Sequence, residues 1–398
     1  MGLQKSFLIV GGGLVGLATS YRLLERFPSA KVTLLEKESD VGMHQSTHNS
    51  GVLHAGLYYS PNSAKAKLAV SGIKQMINFC QTENIPHEIC GKLVVAVTSE
   101  ELPRLDELLR RGTANGLKGL KKLEKNDARK IEPHVNALSA ISVPEEGIVD
   151  YRKVCDRLAE IIKERGGQIF TDAKVVKLEH KVDQWLAVTT NSEFSSSYLI
   201  NCAGLHCDRV AELAGEQRDI RIIPFRGEYF QLKPSAQHLV KNLVYPVPNP
   251  EFPFLGVHFT RMINGGVEAG PNAVLAFARE GYHLAKFDIN DMFDVVSFAG
   301  FWRFLSRYPS MALSEFGQSL SKSLFCKALQ RLVPEIQSED IVPGHSGVRA
   351  QAMNFSGELV NDFHLLIRNN AIHVLNAPSP AATACLAIGQ HIVDQLPN

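Results

Sequence analysis

SFLIVGGGLVGLATSYRLLERFP, residues 6–28, reads as a buried strand, a glycine turn and a helix with an apolar face. The glycines Gly11, Gly13 and Gly16 fill the pattern G-x-G-x-x-G. In such a turn the first glycine permits the tight bend, the second lets a pyrophosphate approach the backbone, and the third lets helix and strand pack closely. Free N–H groups and the dipole at the helix start favour an anionic phosphate. The segment therefore predicts a dinucleotide-binding fold, the alternative being a turn that serves packing alone.

The acid that follows the second strand narrows the choice of dinucleotide. Residues 31–38, KVTLLEKE, read as a strand, and Glu36 stands 20 residues after Gly16, where a carboxylate can accept hydrogen bonds from a ribose. An acid at this position would repel the additional ribose phosphate of NADP. The candidates that remain are NAD and FAD.

The next stretch favours FAD over NAD. In a nicotinamide dehydrogenase, further short strand and helix units would continue the sheet promptly. Here residues 44–59, HQSTHNSGVLHAGLYY, contain three histidines and two tyrosines, and their apolar positions fit neither a strand period nor a helix period. Such a polar loop suits a larger cofactor, whose isoalloxazine ring must be seated beside the substrate.

Composition and charge exclude several classes of protein. The 398 residues are 45% hydrophobic, enough for a substantial core in one large domain or two interleaved ones. Lysine plus arginine (42) nearly cancel aspartate plus glutamate (41), so there is no electrostatic case for a nucleic-acid partner. The seven cysteines are scattered and never spaced as C-x-x-C, which predicts reduced thiols and no metal site. Because apolar runs are too short for a signal peptide or a membrane span, the expected compartment is the cytoplasm.

Seven blocks spread over nearly the whole chain carry a specific resemblance. They are VGGGLVGLATSYRLL, EKESDVGMHQSTHNSGVLHAGLYY, PFRGEYFQL, FPFLGVHFT, GPNAVLAFAREGY, HSGVRAQ and NAPSPAATACLAIG. With these blocks the sequence resembles the L-2-hydroxyglutarate dehydrogenase/oxidase family, within the wider D-amino-acid-oxidase-like group of FAD enzymes. The resemblance implies oxidation of L-2-hydroxyglutarate to 2-oxoglutarate by hydride transfer from C2 to flavin N5. It also implies that the electrons pass to the quinone of the respiratory chain or to oxygen.

The expected fold is α/β, with an FAD-binding Rossmann-like part and a substrate part. The cofactor part is expected to have a central, mostly parallel sheet and to be discontinuous, comprising residues 1–83, 141–217 and 337–398. The substrate part is expected to comprise residues 84–140 and 218–336. Its segments GKLVVAVTS, GEYFQLK, NLVYPVPNP and LGVHFTRMINGGVEAG read as strands with proline and glycine turns, which predicts a mixed or antiparallel sheet that covers the flavin.

Oxidation of an alcohol beside a carboxylate needs an anchor for that carboxylate and a base for the hydroxyl proton. Arg349 in GHSGVRAQ is the predicted anchor, because a guanidinium grips a carboxylate through two parallel hydrogen bonds. His54 and His258 are the predicted bases, since the ordinary pKa of histidine lies near neutral pH. A surface arginine and structural histidines are the alternatives. A diacid also needs a grip on its far carboxylate, for which the candidates are Tyr58, Tyr59, Lys67, Arg226 and Arg261.

The expected FAD contacts extend well beyond the glycine turn. His48 is expected to touch the flavin without a covalent bond. Unpaired N–H groups at the start of the last helix are expected to face the flavin O2 side. The full set of expected contacts is Gly11, Gly13, Gly16, Glu36, Lys37, His44, Ser46, His48, Asn49, Ser50, Gly51, Val175, Ala203, Gly204, Gly347, Pro380, Ala381, Ala382 and Thr383.

Two questions stay open at the level of sequence. The same fold also serves amino-acid or sarcosine-type oxidases and glycerol-3-phosphate dehydrogenases, and a flavin-binding protein without turnover is a further alternative. Residues 291–313, DMFDVVSFAGFWRFLSRYPSMAL, are rich in aromatics and arginines. They predict either a core helix or a peripheral contact with the inner face of the cell membrane, where a quinone could reach the flavin.

Overall fold

A sheet of mostly parallel strands lies at the centre of the predicted cofactor part. The computed structural model describes residues 4–250, 254–283, 285–309 and 321–397. Ser6–Val10 pairs in parallel with Lys31–Leu35 on one side and with Tyr198–Asn201 on the other. In spatial order the strands of this cofactor sheet are His364–Arg368, Ala371–Asn376, Tyr198–Asn201, Ser6–Val10, Lys31–Leu35 and Gln168–Phe170. Neighbouring strands run parallel except the first pair.

The predicted strand, turn and helix form where the sequence indicates. The apolar strand residues from Phe7 to Val10 are all buried, as expected for a parallel strand covered on both faces. Helix Leu14–Arg26 follows the turn and buries its apolar side. The last helix, Ala381–Asp394, packs against it so closely that a Cβ atom at Gly389 would lie 2.7 Å from the carbonyl carbon of Ala18.

A larger sheet is built mainly from the excursions of the chain. In spatial order the strands of this large sheet are Val274–Leu275, Ile220–Leu232, Val267–Gly270, His258–Arg261, Leu243–Pro246, Lys92–Ala96, Ser139–Val143 and Lys121–Glu124. Ile341–Asn354 pairs antiparallel with Ile220–Leu232 over most of its length. Only Leu243–Pro246 and Lys92–Ala96 run parallel among the paired strands of this sheet that the structure describes. The predicted combination of a mostly parallel sheet with a mixed sheet is confirmed.

Two strands pair in the large sheet although the proposed division of the chain assigns them wholly or partly to the cofactor part. Ser139–Val143 spans the proposed boundary at residue 141, and Ile341–Asn354 falls in the proposed cofactor part, yet both pair in the large sheet. The division into residues 1–83, 141–217 and 337–398 against 84–140 and 218–336 remains a proposal. Within it, these two strands belong with the substrate part, which matters because the second of them carries Arg349.

Helices and two small sheets complete the described part of the chain. The helices are Leu14–Arg26, Ala64–Thr82, Leu102–Ala114, Lys125–Ile131, Tyr151–Glu164, Cys207–Leu213, Ile289–Val296, Ala299–Arg307, Lys322–Gln330 and Ala381–Asp394. The small sheets are Val175–Lys181 with Gln184–Thr189 and Glu193–Ser196, and Val52–Leu53 with Gly147–Val149 and His87–Glu88. Helix Ala64–Thr82 begins directly after Ser63, whose side chain accepts a hydrogen bond from the Ala66 N–H and caps the helix.

The aromatic segment forms two short helices, Ile289–Val296 and Ala299–Arg307, and its residues 310–313 lie outside the described residues. Phe298, Phe301 and Phe304 are buried in one apolar cluster. Phe293 and Trp302, in contrast, are 70% and 56% exposed. The segment is therefore part core and part surface. Among the helices that the structure describes, none has the length and apolarity needed to cross a bilayer.

Candidate active site

A cleft of about 1000 Å³ opens beside the glycine turn. Its volume lies at the upper end of the range for ligand pockets, which is about 300–1000 Å³. It runs past the carboxyl ends of Ser6–Val10 and Lys31–Leu35, where open α/β sheets bind nucleotides. The expected cofactor contacts that line it are Gly11, Gly13, Glu36, Lys37, His44, Ser46, Val175, Ala203, Gly204, Ala381 and Ala382.

The turn at the cleft requires its glycines. Gly11 has a φ of +108°, which side chains rarely adopt, and a Cβ atom there would lie 2.5 Å from the Cys202 carbonyl oxygen. A Cβ atom at Gly16 would lie 1.9 Å from the Gly11 carbonyl oxygen. Gly16 does not line the cleft itself. It acts by letting the helix approach the turn, which is the role that the sequence pattern predicts.

Two polar side chains shape the nucleotide end of the cleft. Glu36 is buried, and its Oε2 and Oε1 accept hydrogen bonds from the N–H groups of Gly12 (2.6 Å) and Glu38 (2.9 Å). These bonds hold the carboxylate at the end of its strand. Ser46 Oγ accepts a hydrogen bond from the Leu14 N–H at 2.8 Å and thereby caps the start of the first helix.

A cluster of charged groups joins the cofactor part to the segment after Val274–Leu275. Lys37 contacts Glu38, lies 2.7 Å from Glu280 and 2.9 Å from His44 Nε2, while His206 Nε2 lies 2.8 Å from Glu280. Glu38, His44 and Glu280 bring their ligand atoms within 4.8 Å of one another, a spacing that suits a metal ion. The Lys37 ammonium contacts both carboxylates and offsets part of their negative charge. Although burial would raise it, His206 and Lys37 hold the pKa of Glu280 far below its usual value.

The loop that contains His48 is fixed by its own hydrogen bonds. Asn49 donates to the carbonyl oxygens of Gln45 and Ser46 and accepts from the Gly51 N–H, all at 2.9 Å. Further contacts tie this loop to the large sheet and to the segment before the aromatic helices. The centre of the His48 ring lies 4.4 Å from that of the Tyr282 ring. Ser50 Oγ donates a hydrogen bond to the Tyr229 hydroxyl at 3.3 Å. Gly347 lies so close to the loop that a Cβ atom there would be 2.4 Å from the His48 carbonyl oxygen.

The start of the last helix differs in one respect from the prediction. The Ala381 N–H donates to the Pro378 carbonyl oxygen at 3.0 Å, so it is not among the unpaired groups expected at this helix start. Thr383 is fully buried, and its Oγ accepts from the His54 N–H at 3.2 Å and donates to the Val52 carbonyl oxygen at 3.1 Å. Pro380 precedes the helix as its cap residue. Thr383 thus fixes the strand that leads to His54.

The predicted bases meet at one face of the large sheet. The ring of Tyr245 stacks on His258 at 3.9 Å and approaches His54 edge-on at 6.3 Å. His258 Nδ1 lies 2.9 Å from the Gly256 carbonyl oxygen, which fixes Nδ1–H as donor when the ring is neutral. Burial lowers the pKa of His258 to about 3, and the nearby charges of Arg349, His54 and Lys92 act in the same direction. His258 is therefore neutral at physiological pH, with Nε2 as the acceptor atom.

Arg349 belongs to this face. Its strand pairs Arg349 with Phe225, and the guanidinium carbon lies 5.4 Å from the Phe254 ring centre. The charge of Arg349 also acts on Tyr229 and His258. Among the described residues, no carboxylate lies within 4.0 Å of its guanidinium, unlike most buried or half-buried arginines of this chain. A half-buried guanidinium of this kind can bind an anionic ligand.

Sequence reasoning missed an ion pair beneath His54. Lys92 and Glu146 are fully buried, with Lys92 Nζ 2.5 Å from Glu146 Oε2, but the angles do not make a well-aligned hydrogen bond. Lys92 Nζ also lies 4.6 Å and 4.7 Å from the ring centres of Tyr58 and Tyr245. One signal was present in the sequence: Lys92 opens the otherwise apolar strand KLVVA. A lysine in a fully buried strand needs a partner.

The candidates for the far carboxylate separate into different places. Tyr58 is half-buried beside Lys92, and its buried hydroxyl has no hydrogen-bond partner among the described residues. Lys67 is exposed on its helix, Arg261 lies 2.6 Å from Glu88, and Tyr59 is in contact with Lys65 and Ser379. Arg226 lies 3.0 Å from Glu228 and, by strand alternation, faces away from Arg349, which is paired with its neighbour Phe225. Tyr58 lies beside Lys92 in the group that contains His54, and Glu146 and Tyr245 of this group also act on Tyr59.

Comparison with known proteins assigns the family. Residues 6–395 match the family described as FAD dependent oxidoreductase. The chain belongs to this FAD-dependent oxidoreductase family. One relative of this oxidoreductase, L-2-hydroxyglutarate dehydrogenase of Indibacter alkaliphilus, is 49% identical over 383 residues, which cover 96% of each chain. The mitochondrial L-2-hydroxyglutarate dehydrogenase of Homo sapiens is 44% identical over 98% of this chain and 88% of that protein.

A solved structure has a similar fold. The L-alpha-glycerophosphate oxidase of Mycoplasma pneumoniae, determined with FAD bound, superposes with a TM-score of 0.80 at 24% identity and covers 98% of this chain and 94% of that one. At this identity the likeness shows the fold alone. FAD is the cofactor of this oxidoreductase family, and the cleft fits it. The glycines leave room for a pyrophosphate, and the carboxylate of Glu36 is fixed where a ribose would lie.

Proposed function

We propose that this chain oxidises L-2-hydroxyglutarate to 2-oxoglutarate with FAD. The observation that carries the proposal is Arg349, a half-buried cation without a carboxylate partner among the described residues, on the sheet face that holds His258. Two relatives named L-2-hydroxyglutarate dehydrogenase, 49% and 44% identical over almost the whole chain, support the choice of substrate. The expected site residues remain part of this proposal.

Arg349 binds the C1 carboxylate. Its planar guanidinium can donate two parallel hydrogen bonds to one carboxylate, which fixes the orientation of the adjacent C2 as well as its position. The Phe254 ring, 5.4 Å from the guanidinium, limits its movement. FAD, when bound, supplies the acceptor for the two electrons and the hydrogen that leave C2.

The hydroxyl group of C2 needs a hydrogen-bond acceptor and a proton acceptor. His258 offers Nε2 for a hydrogen bond from the hydroxyl, because its Nδ1–H is held by the Gly256 carbonyl oxygen. His54 approaches the same Tyr245 ring edge-on, with 6.3 Å between the ring centres. These two histidines are the candidates for the base, and the chemistry is removal of the hydroxyl proton as the carbonyl forms.

The C5 carboxylate of the substrate is received by Tyr58. Burial raises the pKa of the Tyr58 hydroxyl well above its usual value, with smaller contributions from Glu146 and Tyr245, so the group keeps its proton. A protonated hydroxyl without a partner can donate to a carboxylate without adding a second buried cation.

A substrate panel tests this function. The purified holoenzyme is incubated with an artificial electron acceptor and with L-2-hydroxyglutarate, its D enantiomer, glycine, sarcosine or glycerol-3-phosphate, and the products are identified by mass spectrometry. We expect 2-oxoglutarate from the L enantiomer and no turnover of the others. Oxidation of an amine or of glycerol-3-phosphate in preference to L-2-hydroxyglutarate would assign the chain a different substrate, and bound FAD without any turnover would support a non-catalytic role.

We further propose that the aromatic helices contact a membrane surface and that quinone is the electron acceptor. The exposed apolar side chains of this aromatic patch are Phe287, Ile289, Phe293, Val296, Trp302 and Phe355. Arg303 and Arg307 are exposed on the same helix as Trp302, and Lys286 adjoins Phe287. Aromatic rings beside cations are typical of helices that lie at the headgroup boundary of an anionic membrane. Oxygen is the alternative acceptor.

Replacing Phe293 and Trp302 together by serine tests the membrane contact. We expect the parent to sediment with phosphatidylcholine–phosphatidylglycerol vesicles and the double variant to bind at least about tenfold more weakly, since each buried aromatic contributes about 1.5–3 kcal/mol. Val182→Ser is the matched control, because Val182 is 89% exposed elsewhere. Equal sedimentation of parent and double variant, or oxygen uptake that exceeds quinone reduction on vesicles, would contradict this part of the proposal.

A further inference from the structure

The carboxylate of Glu146 holds both the backbone and the side chain of the segment that carries His54. Glu146 is fully buried. Its Oε1 accepts a hydrogen bond from the Ala55 N–H at 3.1 Å, and its Oε2 lies 3.4 Å from His54 Nδ1. The neighbouring His54 N–H is bonded to Thr383 at 3.2 Å. The position of the imidazole is thus determined by contacts on both sides of its backbone and at one ring nitrogen.

Lys92 keeps this carboxylate charged. Its ammonium lies 2.5 Å from Glu146 Oε2 and between the rings of Tyr58 and Tyr245. Burial by itself would raise the pKa of Glu146, but Lys92 and His54 hold it at about 2. Glu146 is therefore an anion at every pH at which the enzyme would work. Because both members of the pair are inaccessible to water, solvent screens poorly the negative charge of Glu146, whose Oε2 lies 3.4 Å from His54 Nδ1.

We propose that Glu146 is a positioning residue that makes His54, and not His258, the base that takes the substrate's hydroxyl proton. This inference rests on the proposed function. Nδ1 lies 3.4 Å from Glu146 Oε2 without forming an aligned hydrogen bond, but the nearby negative charge favours the tautomer that carries its proton on Nδ1, so Nε2 carries the lone pair. The hydroxyl proton moves to Nε2, and Glu146 stabilises the imidazolium that results, as a buried carboxylate does for other catalytic histidines.

His258 lacks the corresponding partner. Its Nδ1 faces the neutral carbonyl oxygen of Gly256, and the cations Arg349 and Lys92 oppose a positive charge on its ring. A histidine in this setting can accept a hydrogen bond but is a poor acceptor of a full proton. The two histidines therefore divide the work: His258 orients the hydroxyl, and His54 receives its proton.

The test removes both charges of the buried pair at once. Glu146→Gln alone would leave Lys92 buried without a counter-ion, whereas the double variant E146Q/K92M leaves no unpaired charge and is expected to fold. For the double variant we expect kcat with L-2-hydroxyglutarate to fall about 100-fold and KM to change less than about threefold, because proton transfer contributes about 10²–10⁴ to such rates. In the background of His54→Ala the same double substitution should cause no further loss.

The matched control is D106N/K122M, which removes an exposed ion pair of the same 2.5 Å length and should leave kcat unchanged. A folded, FAD-loaded E146Q/K92M enzyme with the parent's kcat, or one in which only KM rises, would overturn the inference. So would a further loss in the His54→Ala background. If the double variant does not fold, Glu146→Asp decides, since it keeps the charge but withdraws the carboxylate from His54: about tenfold lower kcat at constant KM supports the role, and an unchanged kcat overturns it.

The outcomes separate this inference from the function on which it rests. If the parent enzyme does not oxidise L-2-hydroxyglutarate, the proposed function fails before any variant is compared. If the parent oxidises it and the variant retains the parent's rate, the function stands and only the role of Glu146 is lost.

Discussion

Replacing Arg349 by alanine is expected to lower kcat/KM for L-2-hydroxyglutarate by roughly two to three orders of magnitude. Loss of one partner of a buried, charge-assisted contact costs about 2–5 kcal/mol, in part because the substrate carboxylate then enters the site unpaired. Arg349→Lys should recover only part of the loss, since an ammonium cannot offer the two parallel donors of a guanidinium. Steady-state kinetics of the three proteins would measure the effect.

The control for this prediction is Arg368→Ala, because Arg368 is exposed on the edge strand of the cofactor sheet, 3.5 Å from Glu216. FAD content is measured in parallel, because a loss of cofactor would imitate a loss of substrate binding. An Arg349→Ala enzyme with normal FAD content and a kcat/KM within about threefold of the parent would show that the substrate carboxylate is bound elsewhere.

The second large effect concerns stability. Asp208 and Arg279 are both buried and are joined through two contacts, Nη1 to Oδ1 and Nη2 to Oδ2 at 2.8 Å, while Arg218 lies 2.7 Å from Asp208. Asp208→Asn leaves the buried Arg279 without its closest counter-ion. We expect the free energy of unfolding in urea at pH 7 to fall by about 3–5 kcal/mol. Glu107→Gln, which alters an exposed ion pair, should leave the urea midpoint unchanged.

The same pair predicts how stability depends on pH. Burial would raise the pKa of Asp208, but Arg279 and Arg218 hold it well below its usual value. A carboxylate whose pKa is depressed in the folded state contributes stability that is complete above its unfolded pKa of about 3.9 and is lost as the pH falls toward the folded value. The difference in stability between parent and Asp208→Asn should therefore narrow on acidification below about pH 4. A difference that widens would contradict the assigned charge state.

The nucleotide end of the molecule was predictable because its signals are local. Gly11, Gly13, Gly16 and Glu36 follow one strand–turn–helix–strand unit, in which spacing along the chain fixes spacing in the fold. Resemblance supplied Arg349 and its role. Neither local spacing nor resemblance predicts ion pairs between residues that meet only through the packing of distant segments.

Contacts between separate segments and the direction of individual helix residues could not be predicted from local sequence. Lys92 and Glu146 lie on separate segments and come together only when the small sheet of Gly147–Val149 meets the large sheet. Lys67, an expected contact of the far carboxylate, is exposed on its helix, whereas burial lowers the pKa of Lys65, two residues earlier, to about 8. Two positions that are two residues apart on a helix differ by about 200° in direction, so Lys65 and Lys67 face different sides.

The order of strands explains the position of the proposed substrate site. His258, Tyr245 and Lys92 lie on three adjacent strands of the large sheet, and paired registers place them on one face. Ile341–Asn354 brings Arg349 to the other end of the same sheet before the chain returns to the cofactor sheet. The small sheet that contains Val52–Leu53 brings His54 against this face. The polar face is thus assembled from both parts of the chain, which suits a site between cofactor and substrate.

Anaerobic mixing of the holoenzyme with L-2-hydroxyglutarate in a stopped-flow spectrometer is the most direct test of the central claim. That claim is that the cleft at the glycine turn holds FAD and that the face of His54, His258 and Arg349 presents this substrate to it. We predict rapid loss of the visible flavin absorption with L-2-hydroxyglutarate, slowed when C2 carries deuterium, and no loss with the D enantiomer. A flavin that stays oxidised with L-2-hydroxyglutarate but is bleached by an amine would contradict the account.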